Sequence, residues 1–181
     1  FLTPTQFKNL STAQLVQLAT TQVTALTSAQ VSNLSATQLG ALTSSIVQNL
    51  NSSAFGGLSG SQLGSLSTTA LQGLTTAQAV ALTSATLQSL SSTQINSLTS
   101  TALDAIETAD IASIGKTLLS GISSTQLNLL TTSQVQAISS SSLQNLNTVQ
   151  ISGLSTTQLV ALSSTQVQAL NVGQVQALAL D

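Results

Sequence analysis

The sequence predicts an all-α solenoid built from very short capped helices, with one helix in each eight-residue repeat. Three observations support this fold class: two apolar positions three residues apart, a Ser or Thr ahead of each helix, and a Gln three residues later. The repeat is clearest in residues 163–170, and it runs in unbroken register from Thr3 to Leu178 as 22 copies. We number its positions one to eight, with Thr3 at position one and Leu10 at position eight.

The two apolar positions favour helix over strand. Position eight is Leu or Ile in every copy, and position five is apolar in every copy, with Ala79 as its one small residue. These positions are three residues apart within a copy and five apart between copies, so a strand would point them to opposite faces. A helix places residues i and i+3 on the same side. The main alternative, a β-solenoid, fits the richness in Ser, Thr and Val but not this spacing.

Position one explains why the chain turns at every copy. In one continuous helix, each copy would be rotated by about 80° from the last, and the apolar stripe could not face one partner. Position one is Ser, Thr or Asn in 19 of 22 copies, with Ala19, Glu107 and Gly115 as the exceptions, and position four is Gln in 14 copies. Ser/Thr-x-x-Gln is a capping box, which marks a helix start, and Pro4 occupies the first helical position. We therefore predict a helix of about seven residues, about 10 Å long, in each copy.

Such helices must stack, because isolated helices shorter than about 12 residues are marginal in water. A coil of three helices would take about 24 residues, giving about seven coils. Position seven is Ala, Gly or Ser in most copies, which predicts a close approach to a neighbouring coil. We expect residues 1–181 to form a single solenoid of 22 repeats with no polar cap at either end.

The composition argues against a catalytic, metal or cofactor site. Charged residues make up 3% of the chain, where about 25% is usual, and His, Cys, Met, Trp and Tyr are absent. We expect no enzyme, no catalytic residue, and no metal or cofactor site. The net charge of -2 is too weak to attract nucleic acid, and the longest apolar runs are far shorter than a membrane span of about 20 residues. No signal peptide is visible, and we expect one to have been cleaved or to lie outside this segment.

Most of the charge lies between Asp104 and Lys116. Carboxylates at intervals of three, as in Asp104, Glu107 and Asp110, could converge on a cation. However, Glu107 occupies the N-cap position and Asp110 the glutamine position, where negative charge favours a helix start. We interpret them as helix-start residues.

The runs Thr-Thr-Ser-Gln-Val-Gln-Ala-Ile (131–138) and Ser-Ser-Thr-Gln-Val-Gln-Ala-Leu (163–170) resemble the short Leu-Ser/Thr-x-x-Gln-Val repeats of large bacterial secreted or surface exoproteins, which are described as adhesion-like. The resemblance implies an extracellular or cell-surface structural or adhesive role and no catalytic residues. It covers nearly the whole chain.

We expect a structural protein: an extracellular filament subunit that assembles head to tail by end-to-end stacking, or a rod segment of a surface protein. An adhesin or ice-binding protein that uses ranks of Ser and Thr hydroxyls is the alternative, with contact to a surface or matrix. Asn-x-Ser sequons, such as the one at Asn33, leave glycosylation open.

Overall fold

A computed structural model of the protein describes residues 2–178 and shows short helices throughout this part of the chain. The helices are α1 (Pro4–Phe7), α2 (Thr12–Val16), α3 (Thr20–Thr24), α4 (Ser28–Val31), α5 (Ala36–Gly40), α6 (Ser44–Asn49), α7 (Ser52–Gly56), α8 (Gly60–Leu63), α9 (Thr68–Leu71), α10 (Thr76–Val80), α11 (Ser84–Leu87), α12 (Ser92–Ile95), α13 (Ser100–Ala105), α14 (Thr108–Ala112), α15 (Lys116–Ser120), α16 (Ser124–Asn128), α17 (Thr132–Ala137), α18 (Ser140–Leu143), α19 (Thr148–Ser152), α20 (Thr156–Ala161), α21 (Ser164–Ala169) and α22 (Val172–Leu178). Residues 2–178 contain no strand, so the all-α solenoid is confirmed and the β-solenoid alternative is wrong.

Three helices make one coil. Each helix packs against the helix three places further along the chain, as α1 packs on α4, α4 on α7 and α19 on α22. Because one repeat holds one helix, a coil takes 24 residues, as expected from stacking. From here on, a coil means three successive helices, and the first coil is α1 to α3 (residues 3–26).

The helices are shorter than the predicted seven residues. Most have four to six residues, and only α22 has seven. The helical hydrogen bonds tighten near the end of each repeat; for example, Leu10 N donates to Phe7 O, three residues earlier, at 3.1 Å. A helix whose last turn closes with such bonds loses residues to the tighter geometry. The length prediction was therefore wrong, while the number and register of the helices were right.

The chain turns between helices on two consecutive extended residues. Leu50 at position eight has φ -63° and ψ 132°, and Asn51 at position one has φ -66° and ψ 152°. No residue between 2 and 178 has a positive φ or a cis peptide bond. Many helices end on a left-handed residue, often Gly, but this corner is open to any amino acid.

The core is the predicted pair of apolar positions. Phe7, Leu39, Leu87 and Val135 at position five are at most 2% exposed, and position eight is buried in all the inner coils. Burial of each of these side chains stabilises the fold by about 1.5–3 kcal/mol, and this is the main favourable contribution to the stability of such short helices.

Position seven brings neighbouring coils close together. A Cβ added to Gly57 would lie 2.6 Å from the Cβ of Ser28, and one added to Gly121 would lie 2.5 Å from the Cβ of Ser92. Both serines are at position two of the preceding coil, so position seven packs on position two. The close approach predicted from the small residues at position seven is confirmed.

Candidate functional site: the interface between successive coils

Most helices begin with a capping box, as the Ser/Thr-x-x-Gln pattern predicts. In α21, Ser163 Oγ accepts a hydrogen bond from Gln166 N at 3.2 Å, and Gln166 Oε1 accepts one from Ser163 N at 2.9 Å. Where the hydroxyl is missing, as at Ala19, the glutamine half remains: Gln22 Oε1 accepts from Ala19 N at 2.8 Å. The box satisfies two amide groups that a helix N-terminus leaves free.

The same glutamine also binds the preceding coil. Gln166 Nε2 donates to the carbonyl of Ile138 at 2.8 Å and to that of Val135 at 3.0 Å. Val135 O already accepts a bond from Ile138 N at 3.2 Å, whereas the Ile138 carbonyl, just beyond the end of α17, has no partner within its own helix. With no left-handed cap residue at these ends, the glutamine of the next coil supplies the missing donor.

These contacts form a ladder along the solenoid. We call the position-four glutamines that donate to the preceding coil the glutamine ladder: Gln30, Gln38, Gln62, Gln78, Gln94, Gln126, Gln134, Gln150, Gln158, Gln166 and Gln174. Each one donates to the carbonyl 28 residues before it, at 2.6–3.2 Å. In residues 2–178, no buried side-chain polar atom is left without a partner. The ladder is thus a fully satisfied polar network inside a nearly uncharged protein.

A second set of amides points the other way. Asn96 Nδ2 at position six donates to Gly121 O of the following coil at 3.0 Å, and Gln136 Nε2 donates to Ala161 O at 2.7 Å. Asn128 makes the equivalent bond to Gly153 O at 2.8 Å. The coils formed by α10 to α12 and by α16 to α18 therefore carry donors on both of their stacking faces.

At one place where the glutamine is absent, another polar side chain makes the same contact. In α7, position four is Ala54, and the N-cap residue Asn51 donates instead to Leu26 O at 2.8 Å. Leu26 is 28 residues before Ala54, so Asn51 reaches the carbonyl that a glutamine at 54 would bind. Other carbonyls opposite a non-glutamine residue, such as those of Leu18, Leu42 and Leu74, accept no hydrogen bond from residues 2–178.

One inner coil, formed by α13 to α15, has no ladder glutamine. Position four is Ala102 in α13, Asp110 in α14 and Leu118 in α15. The bond from Ser84 Oγ to the Asp110 carboxylate, at 2.7 Å, joins this coil to the preceding one. Asp110 thus accepts a bond across the interface where glutamines donate.

The charged residues lie where the sequence places them. Glu107 is the N-cap of α14 and makes no side-chain capping bond, while Asp110 lies in the first turn of that helix. Gly115 begins α15 without a capping side chain, yet the helix and its register persist. Residues 2–178 contain no group of three or more metal-ligating side chains. Within the same span, no helix has the length and apolar character needed to cross a bilayer.

The sequence analysis missed the second role of the glutamine. A capping box accepts Glu as readily as Gln, because only the side-chain oxygen is used. Position four holds Gln in 14 copies and Glu in none. The absence of Glu is the signal that the amide N–H is needed, since a carboxylate has no donor for a carbonyl.

The hydroxyl groups at positions one, two and three of the repeat have different surroundings. Those at position one are used in the caps, as Thr131 Oγ1 accepts from Gln134 N at 3.2 Å. Those at position two lie in the groove between coils, as Ser28 does beside Gly57. Position three is exposed in every repeat from Thr5 to Thr165.

Comparison with known proteins finds a repeat family. The model of the ALTTAQ repeat matches residues 2–36 and 143–180, less than half of the chain. These stretches are similar to that repeat, which agrees with a repeat protein. No curated protein matches the chain.

Proposed function

We propose that this chain is a structural protein, working as an extracellular filament subunit that assembles by end-to-end stacking or as a rod segment of a surface protein. The observation that carries the proposal is that the same interface recurs between successive coils. Gln38 joins the second coil to the first through Leu10 O at 2.7 Å, and Gln174 repeats the contact with Leu146 O at 2.8 Å. An interface that joins unlike faces and does not close on itself generates a fibre.

The composition fits a structural role outside the cell. The surface is neutral apart from six charged side chains, so its interactions depend little on salt. Lys8 and Lys116 are the only sites for a protease that requires a basic residue. The resemblance to repeats of bacterial surface and secreted proteins points to the same location.

Electron microscopy of the purified 181-residue chain at neutral pH tests this proposal. We expect uniform filaments, one solenoid wide, whose length grows with protein concentration. Sedimentation velocity over the same concentrations should show a rising mean mass. Monomers at every concentration would rule out the filament, leaving the rod segment.

The exposed third position favours one other function. Ten of its residues are Thr, including Thr5, Thr37 and Thr165, and a rank of outward hydroxyls could bind a surface or ice. An ice-recrystallisation assay checks the ice version. Crystals that grow as fast with the protein as with albumin would remove it.

A further inference from the structure

The bonds between successive coils are interrupted at one place in the middle of the solenoid. The carbonyls of Leu74, Leu82 and Leu90, at position eight of three successive repeats, accept no hydrogen bond from residues 2–178. At all other places up to Leu146, an unbonded carbonyl at position eight lies between two bonded ones. The interruption is therefore three times longer than any other in this part of the chain.

The cause is the composition of one coil. The three carbonyls lie opposite position four of α13, α14 and α15, where Ala102, Asp110 and Leu118 stand in place of glutamine. The ladder glutamines on either side of the interruption are Gln94 and Gln126. The interface between the coil α10–α12 and the coil α13–α15 is thus the one inner interface without a ladder bond. We call this interface the joint.

Four side-chain hydrogen bonds do cross the joint, and three of them lie at exposed positions. They are Ser84 Oγ to Asp110 Oδ1 at 2.7 Å, Gln88 Nε2 to Ser113 O at 3.1 Å, Asn96 Nδ2 to Gly121 O at 3.0 Å and Ser123 N to Asn96 Oδ1 at 2.8 Å. Water competes for exposed donors and acceptors, so these bonds stabilise the interface less than the buried bonds of Gln78 and Gln134 do.

Two helices of the coil α13–α15 also begin without either half of a capping box. Glu107 and Gly115 make no side-chain capping bond, and no glutamine follows them to accept from their amides. Every other helix in residues 2–178 keeps at least one half, as Gln22 does behind Ala19. Because helices of five residues are far too short to be stable alone, the loss of these bonds weakens α14 and α15.

The apolar core nevertheless runs through the joint without interruption. Leu103, Ile111 and Leu119 are at most 2% exposed, like position five of the other inner coils. The joint is therefore closed in the folded protein, and it differs from the other interfaces in its hydrogen bonds. The stability of a solenoid is approximately a sum of repeat and neighbour-interface contributions, so the interface with the fewest buried bonds should open at the lowest free energy.

We propose that the solenoid opens first at the joint, where residues 99–122 unfold locally while the coils on both sides stay folded. Proteins open in cooperative units that differ in free energy, and a repeat protein divides readily into such units. In a rod under tension, the joint would yield before any other inner coil and close again when the tension ends. This use rests on the proposed rod or filament function, whereas the opening itself does not.

Hydrogen exchange of the full 181-residue chain, read by mass spectrometry of its peptides, measures the opening. We expect the protection factors of residues 99–122 to be at least about tenfold lower than those of residues 75–98 and 123–146. Equal protection in these three coils, or lower protection in another inner coil, would overturn the proposal. A chain that forms no filament but opens first at residues 99–122 would refute the filament and leave the joint in place.

Replacement of the three residues at position four should close the joint. A102Q/D110Q/L118Q supplies a ladder glutamine to each of the three unbonded carbonyls, in a position where glutamine fits in 14 other copies. We expect the protection factors of residues 99–122 to rise by about tenfold or more, with an unchanged circular dichroism spectrum. Unchanged protection in this folded variant would show that the missing bonds do not cause the opening, and the proposal would fail.

The matched control adds ladder glutamines outside the joint. A70Q/T86Q places them opposite the carbonyls of Leu42 and Leu58, which accept no bond from residues 2–178. This variant should leave the protection of residues 99–122 unchanged. An equal rise in both variants would indicate a general gain in stability and would contradict a local joint.

Trypsin provides an independent test that leaves the joint itself intact. Lys116 lies in the first turn of α15, which must open before the chain can be cleaved there. K116S/S141K moves the lysine to the exposed third position of α18, while Lys8 remains in both proteins as an internal reference. Relative to cleavage after Lys8, we expect cleavage after Lys116 in the wild type to be at least about tenfold faster than cleavage after residue 141 in the variant. Equal rates would refute preferential opening at the joint.

Discussion

Gln78 offers the most direct test of the glutamine ladder, because it is fully buried and makes both the capping bond and the bonds to the preceding coil. Its Oε1 accepts from Thr75 N at 3.0 Å, and its Nε2 donates to Leu50 O at 2.7 Å and Val47 O at 2.6 Å. Val47 O also accepts from Leu50 N, so Gln78→Ala leaves two groups without a partner, Thr75 N–H and Leu50 C=O.

The expected loss can be built from these parts. An unpaired buried polar group costs about 1–3 kcal/mol, and each buried methylene that is removed costs about 0.8 kcal/mol. Gln22→Ala is the matched control, since Gln22 makes the same capping bond but contacts no preceding coil. Loss of a cap alone costs about 1 kcal/mol. We therefore expect Gln78→Ala to cost about 3 kcal/mol and Gln22→Ala about 1 kcal/mol.

Urea unfolding followed by circular dichroism at 222 nm measures both losses, with the slope m checked for changes in cooperativity. Repeat proteins can unfold in parts, so hydrogen exchange of the coil around Gln78 provides an independent reading. Equal destabilisation by the two substitutions would refute the bond between coils as a source of stability, and would reduce the glutamine to a helix cap.

Three further substitutions test other parts of the structure. Gln78→Glu should destabilise the protein strongly at pH 7, because burial raises the pKa of the new carboxyl in the folded state. The stability should be fully present below the unfolded pKa of about 4.3 and be lost as the pH rises through the folded pKa. Urea titrations at pH 4 and pH 7 would show this difference. Gly73→Ala should cost about 1–3 kcal/mol in the same assay because its Cβ meets the backbone of the preceding coil. Gly115→Ser has nothing within 4 Å of the new Cβ and should gain a few tenths of a kcal/mol from a new N-cap, so a gain from both substitutions would contradict this packing. Thr86→Gln should add about 1 kcal/mol by supplying a donor to Leu58 O, 28 residues earlier, and an unchanged urea midpoint would show that this carbonyl gains nothing from the amide.

The sequence predicts local structure well because the local signals are strong. The capping box, the two apolar positions and the small residue at position seven each act within one repeat or between neighbouring coils. Three helices per coil was a geometric assumption that the octad itself does not fix, and the contact of α1 with α4 agrees with it. The helices were predicted too long because the tight last turn, as at Leu10, depends on how the chain enters the next repeat.

The contacts between coils were harder to predict, because they join residues about 28 positions apart. Nothing in one octad says which carbonyl Gln38 will reach, and its bond to Leu10 O exists only once the coil has three helices. It is harder still to predict that Asn51 donates in place of a glutamine at position 54, because its partner Leu26 is known only from the packed structure. The charged residues near Asp110 were easier to predict, because their positions within the repeat place them at the start of a helix.

One repeat forms one third of a coil, and this gives the fold an unusual tolerance of changes in chain length. Loss or gain of one whole octad keeps every core position and every capping box in register, because the corner between helices needs no special residue. The segment downstream would turn by one third of a revolution about the solenoid axis, since three helices complete a coil. The outward residues beyond that point, such as those at position three, would then face a new direction while the interior stayed the same. Genetic gain or loss of one repeat would therefore rotate the downstream surface about the solenoid axis. Only a change of three octads would return the downstream surface to its original orientation.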